Sequence, residues 1–504
     1  MGLEESFNAD LVQQAEENIQ TWGNRVSADP DYPALHLAPP VGRLNDPNGL
    51  VYSRGVYHAF YQYSPVHPTR AVFWRHATST DLTHWRDEQT VISPVRWYDR
   101  NGCYSGSGVA TPEGALEFFY TGNVKDDQGN RETYQNLFIS EDGGASFEVS
   151  PLNPLISGPE EGYTAHYRDP HVFFRNGQWW AVLGVQRTDE TGAIVYYTSD
   201  DRRIWRFGGE LEFSDPRMQH LGYMFECPNL IQLKDEETGC LKDVLIFCPQ
   251  GMQPEGELYN NVFQCGYVVG TLHGNFFDVE TTFTELDAGF EFYAPQVISG
   301  LDNATESATL MAWMGNAAED DQPSWANHWV HMLTYPRAIT LRGGRIYQRP
   351  VPQLEQALRI APSTINSVGE LDIPAGQRTF RLQARISVSA GPVSIQVIDA
   401  EGVSCTLTVK ESAVELDRSG TRYLTAGLIR RRTLSPSSEH TIDLLFDASA
   451  LEVFIDDGAV ALTGRIYLHG ELASVRFVTG NQSSAAQAVT ELNLSLPAEG
   501  NPTT

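Results

Sequence analysis

Short runs of apolar or alternating residues, separated by Gly, Asp, Asn and Pro, dominate the chain. Clear examples are "VYHAFYQY" (56–63), "ALEFFYTG" (115–122), "WWAVLGV" (179–185) and "AIVYYTS" (193–199). Runs rich in Val, Ile, Tyr, Phe and Trp between turn residues are typical of β-strands. Helical spacing is clear near the N-terminus, at Leu11, Ala15, Ile19 and Trp22. The pattern predicts an all-β protein with one amphipathic helix in a lead-in over residues 1–32.

A longer pattern recurs along the first two thirds of the chain: a strand, a Ser-x-Asp turn and then an aromatic residue. The copies are "ATSTDLTHW" (77–85), "FISEDGGASF" (138–147), "YTSDDRRIW" (197–205) and a weaker "YVVGTLHGNFF" (267–277). At a period of about 60 to 70 residues, about five units fit before residue 350. Radially repeated four-stranded units form a β-propeller. We therefore predict a five-bladed β-propeller over residues 33–348, with its ligand where the first strands converge.

The alternation changes in the last third of the chain. In "TFRLQARISVSA" (379–390), "VSIQVI" (393–398) and "LEVFID" (451–456), apolar and polar residues alternate strictly. Strict alternation indicates antiparallel strands with one buried face. The sequence predicts a linker over 349–364, a β-sandwich over 365–496 and a short tail over 497–504. The sandwich is expected to cover propeller surface, with sugar binding and dimerisation as alternatives.

Charge and cysteine usage limit the partners. The 504 residues include 64 acidic and 35 basic side chains, a net charge of −29. This balance argues against nucleic acid and anionic membranes and favours a small neutral ligand or a cation. The six cysteines have no ligand-like spacing, so we predict no metal, no cofactor and reduced thiols in a cytoplasmic protein. A secreted form whose signal has been removed is the alternative, and both a monomer and a homodimer stay open.

The sequence contains no apolar run long enough to span a membrane, and the N-terminus lacks the basic-then-apolar order of a signal peptide. No nucleic-acid or membrane partner is therefore expected.

Three acids share one local pattern, a position at or near proline beside an aromatic strand. They are Asp46 in "LNDPNG", Asp169 in "HYRDPHVFF" and Glu226 in "GYMFECPNLIQL". If each begins a different blade, the three carboxylates face one another, which costs stability unless function requires it. Glycoside hydrolysis requires such a set: one ionised carboxylate at the anomeric carbon and one protonated carboxyl at the leaving oxygen. Taken singly, each acid is more typical of a turn or cap residue than of a catalytic one.

Eight motifs, including those that contain the three acids, occur in an order that points to one family. They are "LNDPNG", "YHAFYQY", "CYSGSG", "YRDP", "FECPN", "GFEFYAPQ", "AWMG" and "LTYPRAITL", followed by "LEVFIDDG" and "RIYL" in the sandwich region. Over nearly its whole length, the chain resembles glycoside hydrolase family 32, the invertase, inulinase, levanase and sucrose-6-phosphate hydrolase group. The resemblance implies a five-bladed propeller with a β-sandwich, in agreement with the repeat count.

The resemblance also implies roles for individual residues. Asp46 would be the nucleophile that forms a covalent fructosyl-enzyme, Glu226 the general acid and base, and Asp169 the residue that holds fructose hydroxyls and stabilises charge at C2. The residues expected around the fructosyl unit are Asn45, Gln62, Trp74, Tyr104, Ser105 and Arg168. Trp313 is either an apolar wall of the pocket or a core residue. A retaining reaction predicts a separation of about 5 to 5.5 Å between the Asp46 and Glu226 carboxyl groups.

Departures from the family pattern concern the leaving-group side. Arg43 and Leu44 precede the "NDPNG" turn where many relatives have Trp, and "FECPN" replaces "WECPD". Arg43, Arg70 and Arg75 are expected to be structural, with a phosphate site as the alternative. Cys227 either shapes the surroundings of Glu226 or is a small buried side chain.

The predicted activity is release of terminal fructosyl units from sucrose and related fructosides. The alternatives with the same acids are a sucrose-6-phosphate hydrolase, a fructosyltransferase and an exo-fructanase. A non-catalytic sugar-binding propeller and an inverting arabinan-type enzyme are more distant alternatives.

Overall fold

The computed structural model describes residues 8–498 except 70, 303, 426 and 480–484. In this described part of the chain, the strands form seven sheets. Five sheets are the blades of a propeller, and two six-stranded sheets face each other as a sandwich. The predicted all-β fold, a five-bladed β-propeller followed by a β-sandwich, is confirmed. No helix among these described residues is long and apolar enough to cross a membrane.

The blades follow one another along the chain, each with four main antiparallel strands. Blade 1 consists of Gly42–Ser53, Val56–Ser64, Phe73–Ser79 and Arg86–Ile92, with Trp329–Val330 beside its first strand. Blade 2 consists of Cys103–Ala110, Leu116–Lys125, Arg131–Ser140 and Glu148–Val149. Blade 3 consists of Tyr163–Arg175, Gln178–Arg187, Gly192–Ser199 and Arg206–Glu210.

The last two blades carry short additional strands. Blade 4 consists of Met224–Lys234, Leu241–Gln250, Gly266–His273 and Phe276–Val279, with Glu212–Phe213 and Thr284–Glu285 added. Blade 5 consists of Tyr293–Val297, Ala308–Met314, Arg337–Arg342 and Arg345–Pro350, with Met332–Leu333 added.

The sandwich is built from strands that bury one face against the other sheet. One sheet contains Leu358–Ala361, Val489–Pro497, Thr379–Ser387, Glu439–Asp447, Ala450–Ile455 and Val460–Arg465. The other contains Glu370–Asp372, Leu472–Thr479, Val393–Asp399, Gly402–Lys410, Ala413–Asp417 and Ile429–Thr433. The strand Leu358–Ala361, which belongs to the first of these two sheets, lies within the segment 349–364 predicted as a linker. Residues 499–504 of the predicted tail lie outside the described residues.

Helices are few and short apart from the first. They are the α-helices Ala9–Ser27, Leu354–Ala357 and Ala485–Ala488 and the 3₁₀-helices Pro216–His220 and Pro323–Asn327. The helix Ala9–Ser27 has the predicted amphipathic pattern: Ala15 is buried, and Trp22 stacks on His328 with ring centroids 3.9 Å apart. This helix therefore packs against the loop that follows the second strand of blade 5.

The Ser-x-Asp repeat forms the turn between the third and fourth strands of blades 1 to 3. Asp81, Asp142 and Asp201 each accept hydrogen bonds from the preceding Ser and from backbone N–H groups two to four residues further on. These acids hold tight turns by local capping. The sequence repeat thus marks one equivalent turn of successive blades.

Each first strand interrupts its pairing near its start. The register shifts lie between Leu44 and Pro47, Tyr104 and Gly106, Arg168 and His171, Glu226 and Asn229, and Tyr293 and Gln296. In four blades the irregular segment contains a proline, which cannot donate to a strand ladder. The φ angles of Asp169 (62°), Cys227 (48°) and Ala294 (47°) are positive. Such bulges redirect side chains, and here they do so at one level around the axis.

Just beyond the bulges, a ring of hydrogen bonds closes the propeller. In each bond, a side chain of one first strand accepts from a backbone N–H of the next blade. The pairs are Asn48 with Gly106 (3.4 Å), Ser107 with Val172 (2.9 Å), His171 with Leu230 (3.2 Å), Asn229 with Val297 (3.1 Å) and Gln296 with Leu50 (2.8 Å). Burial lowers the pKa of His171 to about 4, so its neutral ring accepts through Nδ1. The ring fixes the five first strands at a common height.

The propeller and the sandwich share a buried ionic cluster around Arg337. This fully buried side chain donates Nε–H to Glu452 (2.7 Å) in the sandwich and Nη1–H to Asp287 (2.9 Å) in the propeller. His36 bridges Asp447 (2.7 Å) and Glu452 (2.9 Å). Although burial opposes protonation, hydrogen bonds from these two carboxylates raise the pKa of His36 to about 9.

We expect Arg337→Met to lower the free energy of unfolding by about 3 to 5 kcal/mol, because Asp287 would stay buried without a cation and Glu452 would keep only His36 as its cation. Urea denaturation followed by fluorescence measures this loss. The matched control is Arg342→Met, which removes a half-exposed pair with Glu236 (2.9 Å) and should cost about 1 kcal/mol or less. Equal costs for the two variants would contradict a stabilising role of the buried cluster.

Candidate active site

Asp46 lies in the bulge of blade 1 and is held by neutral donors from two blades. Asn45 Nδ2 donates to Oδ1 (3.3 Å), and Gln62 Nε2 donates to Oδ2 (3.2 Å). The Ser105 hydroxyl, in the bulge of blade 2, makes a short hydrogen bond to the same Oδ2. Burial raises the pKa of Asp46 and the charge of Glu226 adds to this rise, while the hydrogen bond from Ser105 opposes it. The carboxylate is oriented without a direct counter-ion.

Asp169 occupies the same bulge position in blade 3. Its Oδ2 accepts from the backbone N–H of Cys227 (3.0 Å), and the Cys227 thiol lies 3.5 Å from the same oxygen. Burial raises the pKa of Asp169 to about 7; Arg168 opposes this shift, and the charges of Glu226 and Asp46 add to it. The mutual effects of the three acids indicate that they share one site.

Glu226 lies in blade 4, one residue before Cys227. Its Oε1 accepts from Arg168 Nε (2.9 Å) and Nη2 (2.5 Å), and its Oε2 accepts from Gln250 Nε2 (2.7 Å) and the Tyr293 hydroxyl (2.5 Å). A tyrosine hydroxyl can donate to a carboxylate or accept from a carboxylic acid. The contact with Tyr293 is therefore compatible with both protonation states of Glu226, as a residue that first gives and then takes a proton requires.

Arg168 is fixed on its other side by His166. Arg168 Nη1 donates to His166 Nδ1 (2.9 Å), and burial together with the charges of Arg168 and Arg131 lowers the pKa of His166 to about 4. A neutral imidazole can accept this hydrogen bond. Arg168 therefore keeps a defined position beside Glu226.

Four of the seven predicted substrate-binding residues contact the acids directly: Asn45, Gln62, Ser105 and Arg168. Tyr104, one residue before Ser105, is half-buried, and its ring lies 5.9 Å from the guanidinium of Arg131. Trp313 is 4% exposed and packs between Arg43, whose guanidinium lies 5.1 Å from the ring centroid, and the edge of Tyr293. Of the two predicted roles, these contacts support core packing, with Trp313 beneath the site.

The structure gives Trp74 a different place from the predicted one. Its side chain is fully buried in a cluster with Phe60, Tyr120 and Phe138 between blades 1 and 2. Its indole N–H donates to the carbonyl of Tyr104 (3.1 Å). The side chain therefore supports the strand that carries Tyr104 from behind instead of contacting a sugar.

Two of the three arginines considered for a phosphate site are committed elsewhere. Arg43 donates to Asp320 (2.8 Å) and to Asn45 Oδ1 (2.7 Å). Arg75 is buried and binds Asp87 through two hydrogen bonds of 2.6 and 2.5 Å. Arg70 lies outside the described residues. Arg43 and Arg75 are therefore structural, as expected.

The sequence interpretation missed Gln250, Tyr293, His166 and Asp320. Tyr293 belongs to the quoted motif "GFEFYAPQ". It directly precedes the bulge of blade 5, as Glu226 directly precedes the bulge of blade 4. Aligning the five bulges would have found it. Gln250 ends the strand paired with the one that carries Glu226. No group of three or more His, Cys, Asp or Glu side chains within the described ranges could hold a metal ion.

Two family sequence models match this chain. The model of the glycosyl hydrolases family 32 N-terminal domain matches residues 36–350, and that of the family 32 C-terminal domain matches residues 352–495. A sucrose-6-phosphate hydrolase from Bacillus subtilis is 38% identical over 92% of this chain and 94% of its own. A raffinose invertase from Escherichia coli is 35% identical over 86% of this chain and 89% of its own.

Solved structures show the same fold. A family GH32 β-fructofuranosidase from Bombyx mori superposes with a TM-score of 0.82 at 27% identity, over 97% of this chain and 98% of its own. A sucrose-6-phosphate hydrolase from Lactobacillus gasseri superposes with a TM-score of 0.83 at 24% identity, over 96% of both chains.

Proposed function

Because this chain belongs to glycosyl hydrolase family 32 and is a glycoside hydrolase, we propose that it releases terminal β-D-fructofuranosyl units from sucrose and related fructosides with retention of configuration. One observation carries the assignment of roles: Asp46 is held only by neutral donors, whereas both oxygens of Glu226 are held by a network of Arg168, Gln250 and the Tyr293 hydroxyl. The first environment suits a nucleophile, and the second suits an acid that becomes a base.

In the first step, the Asp46 carboxylate attacks C2 of the fructosyl unit while Glu226 gives its proton to the glycosidic oxygen. The C2–O bond to the leaving sugar breaks, that sugar leaves as an alcohol, and an ester joins C2 to Asp46. Positive charge develops at C2 in the transition state. Asp169, anchored by the Cys227 N–H, is placed to bind fructose hydroxyls and to stabilise that charge.

In the second step, the ionised Glu226 takes a proton from water, and the water oxygen attacks C2. The ester breaks, fructose leaves and the Asp46 carboxylate is restored. Arg168 and Gln250 keep the Glu226 oxygens in place through both proton transfers. If a sugar hydroxyl replaces water, the same step transfers the fructosyl group, so the arrangement supports some transfer at high sucrose.

The stereochemical test uses methanol as a second acceptor. A retaining enzyme incubated with sucrose in dilute methanol gives methyl β-D-fructofuranoside, which NMR distinguishes from the α-anomer. The α-anomer would overturn the double displacement and the predicted carboxyl separation of about 5 to 5.5 Å. A panel of sucrose, sucrose 6-phosphate, kestose, inulin and levan, followed over time, identifies the preferred fructoside.

Hydrolysis of sucrose 6-phosphate is the second candidate, and Arg131 favours it. This half-buried residue begins a strand at the site end of blade 2, beside Tyr104 and near His166. Its contact with the Tyr104 ring leaves its guanidinium N–H groups able to bind an anion, and an arginine fork matches phosphate geometry. The name of the Bacillus subtilis relative points the same way.

Under this second candidate, we expect Arg131→Ala to raise KM for sucrose 6-phosphate at least about tenfold, because a hydrogen bond to a charged group contributes about 1.5 to 3 kcal/mol. KM for sucrose should change less than about twofold. The matched control is Arg206→Ala, which removes an exposed arginine paired with Asp200 on the outer strand of blade 3. Parallel changes for both substrates would exclude Arg131 as a phosphate ligand.

The remaining proposals concern compartment and assembly. All six cysteines are free thiols, five of them buried. Free thiols suit a reducing compartment, and we place the protein in the cytoplasm. Sedimentation of the purified chain distinguishes a monomer from a homodimer.

A further inference from the structure

A continuous path of contacts joins the β-sandwich to Asp46 through the loop after the second strand of blade 5. The loop segment 319–324 contacts the sandwich at Asp321, Gln322 and Ser324. Asp320, just before them, turns toward the active site. Asp320 contacts Arg43, Arg43 contacts Asn45, and Asn45 contacts Asp46. None of these contacts is part of the reaction steps described above.

The link nearest to the reaction fixes the orientation of an amide. An arginine side chain carries only hydrogen-bond donors. Because Arg43 Nη1–H lies 2.7 Å from the Asn45 amide, it is the oxygen of that amide that faces Arg43. The amide nitrogen then necessarily faces Asp46, where it donates to Oδ1 (3.3 Å). The same nitrogen makes a short hydrogen bond to Gln62 Oε1, so that without Arg43 the amide orientation is held from the nitrogen side alone.

The next link fixes Arg43. Its Nε donates to Asp320 Oδ1 (2.8 Å), and the same oxygen accepts from His331 Nε2 (3.2 Å). Although burial opposes ionisation, the hydrogen bond from His331 and the charge of Arg43 hold the pKa of Asp320 well below its usual range. Asp320 is therefore a permanent anion that keeps the buried Arg43 charged and oriented over Trp313.

The outer link is formed by the sandwich. Asp321 accepts from the Tyr423 hydroxyl (2.6 Å), and Gln322 Oε1 accepts from Arg465 (3.1 Å) and from the Tyr467 hydroxyl (2.8 Å). Ser324 and the Tyr467 hydroxyl lie 3.1 Å apart. The residues that directly follow Asp320 are thus held by the sandwich.

We propose that the β-sandwich positions the nucleophile: it holds segment 319–324 so that Asp320 fixes Arg43, and Arg43 fixes the Asn45 amide against Asp46. Asp320 and Arg43 are positioning residues in this proposal, which rests on the proposed function. Arg43, at the place where many relatives carry Trp, thereby serves the orientation of Asp46 and not the recognition of a phosphate.

The test is Asp320→Asn, which keeps the shape of the side chain and removes its charge. We expect kcat for sucrose to fall at least about tenfold, with KM changed less than about threefold, because small displacements of a reacting group are costly. The acid limb of kcat/KM should move to higher pH, since Asp46 loses an oriented donor; Glu226, Asp169 and Arg43 are the other charged groups that act on it. A purely structural role would not move this limb.

The matched control is Asp31→Asn, which alters another buried carboxylate between the domains, bound to Arg422. It should lower thermal stability and leave kcat and the pH profile unchanged. Tyr467→Phe removes a hydroxyl of the sandwich and changes no residue of the propeller. It should lower kcat about threefold. If Asp320→Asn does not fold, this second variant tests the proposal.

If Asp320→Asn and Tyr467→Phe both show wild-type kinetics, the proposal is overturned. A wild-type protein that is inactive on every fructoside overturns the proposed function and this inference with it, whereas an active wild type with unaffected variants overturns the inference alone.

Discussion

Replacing Asp46 by Asn should reduce kcat for sucrose by about 10⁴-fold or more, while the fold stays intact. The amide keeps the shape of the carboxylate but cannot form the ester to C2, and removal of a nucleophile costs this much in comparable enzymes. The loss should appear in kcat, because Gln62, Ser105 and Asp169, the residues proposed to bind the substrate, remain. Release of glucose and fructose, measured by a coupled assay at saturating sucrose, gives the value.

The matched control for this substitution is Asp142→Asn, in the Ser-x-Asp turn of blade 2. Its carboxylate caps a turn at the surface, and local hydrogen bonds lower its pKa to about 2. It should cost some stability and no activity. Undiminished hydrolysis by Asp46→Asn would remove the enzyme assignment of this site and favour a sugar-binding propeller.

The acids were predictable because their signal is local. The proline that follows Asp46 or Asp169 both marks the bulge in the sequence and creates it in the strand, since it cannot join the ladder. The Ser-x-Asp turns are equally local, and they give the blade period. Neither signal depends on which strands become neighbours.

The partners of Glu226 were not predictable in the same way. Gln250 and Tyr293 lie 24 and 67 residues from it in sequence, on strands whose ends meet it only once blades 4 and 5 are assembled. Trp74 was misassigned for a related reason: its motif identifies a strand but not which face of that strand meets the pocket. Arg337 and Glu452, 115 residues apart, belong to different domains.

The bulges explain why the site has its particular composition. Asp46, Ser105, Asp169, Cys227 and Ala294 occupy equivalent positions in the five blades. The residue before each of them points to a second level, which contains Arg168, Glu226 and Tyr293 in consecutive blades. Asp46 and Asp169, the proposed nucleophile and stabilising acid, thus share one level, and Glu226, the proposed acid/base, occupies the other with its partners. Cys227 is the small member of the first level, and its backbone N–H serves Asp169.

Replacing Glu226 by Gln should lower kcat/KM for sucrose by about 10² to 10⁴-fold, the usual contribution of a general acid. Sucrose is the sensitive substrate because its leaving oxygen needs a proton, whereas β-D-fructofuranosyl fluoride has a leaving group that needs none. With the fluoride, Asp46 should still form the ester in this variant, and the ester should accumulate because no base activates water. Mass spectrometry of the quenched protein would detect the added fructosyl unit.

Azide separates the two roles of Glu226, because it attacks C2 without the help of a base. Added azide should restore turnover of the fluoride by Glu226→Gln and yield the β-fructosyl azide, the product of two displacements. The matched control, Glu210→Gln, alters another Glu–Arg pair, with Arg187 (2.6 Å) in blade 3, and should respond to none of these conditions. Equal losses on sucrose and on the fluoride would assign proton donation to a different residue.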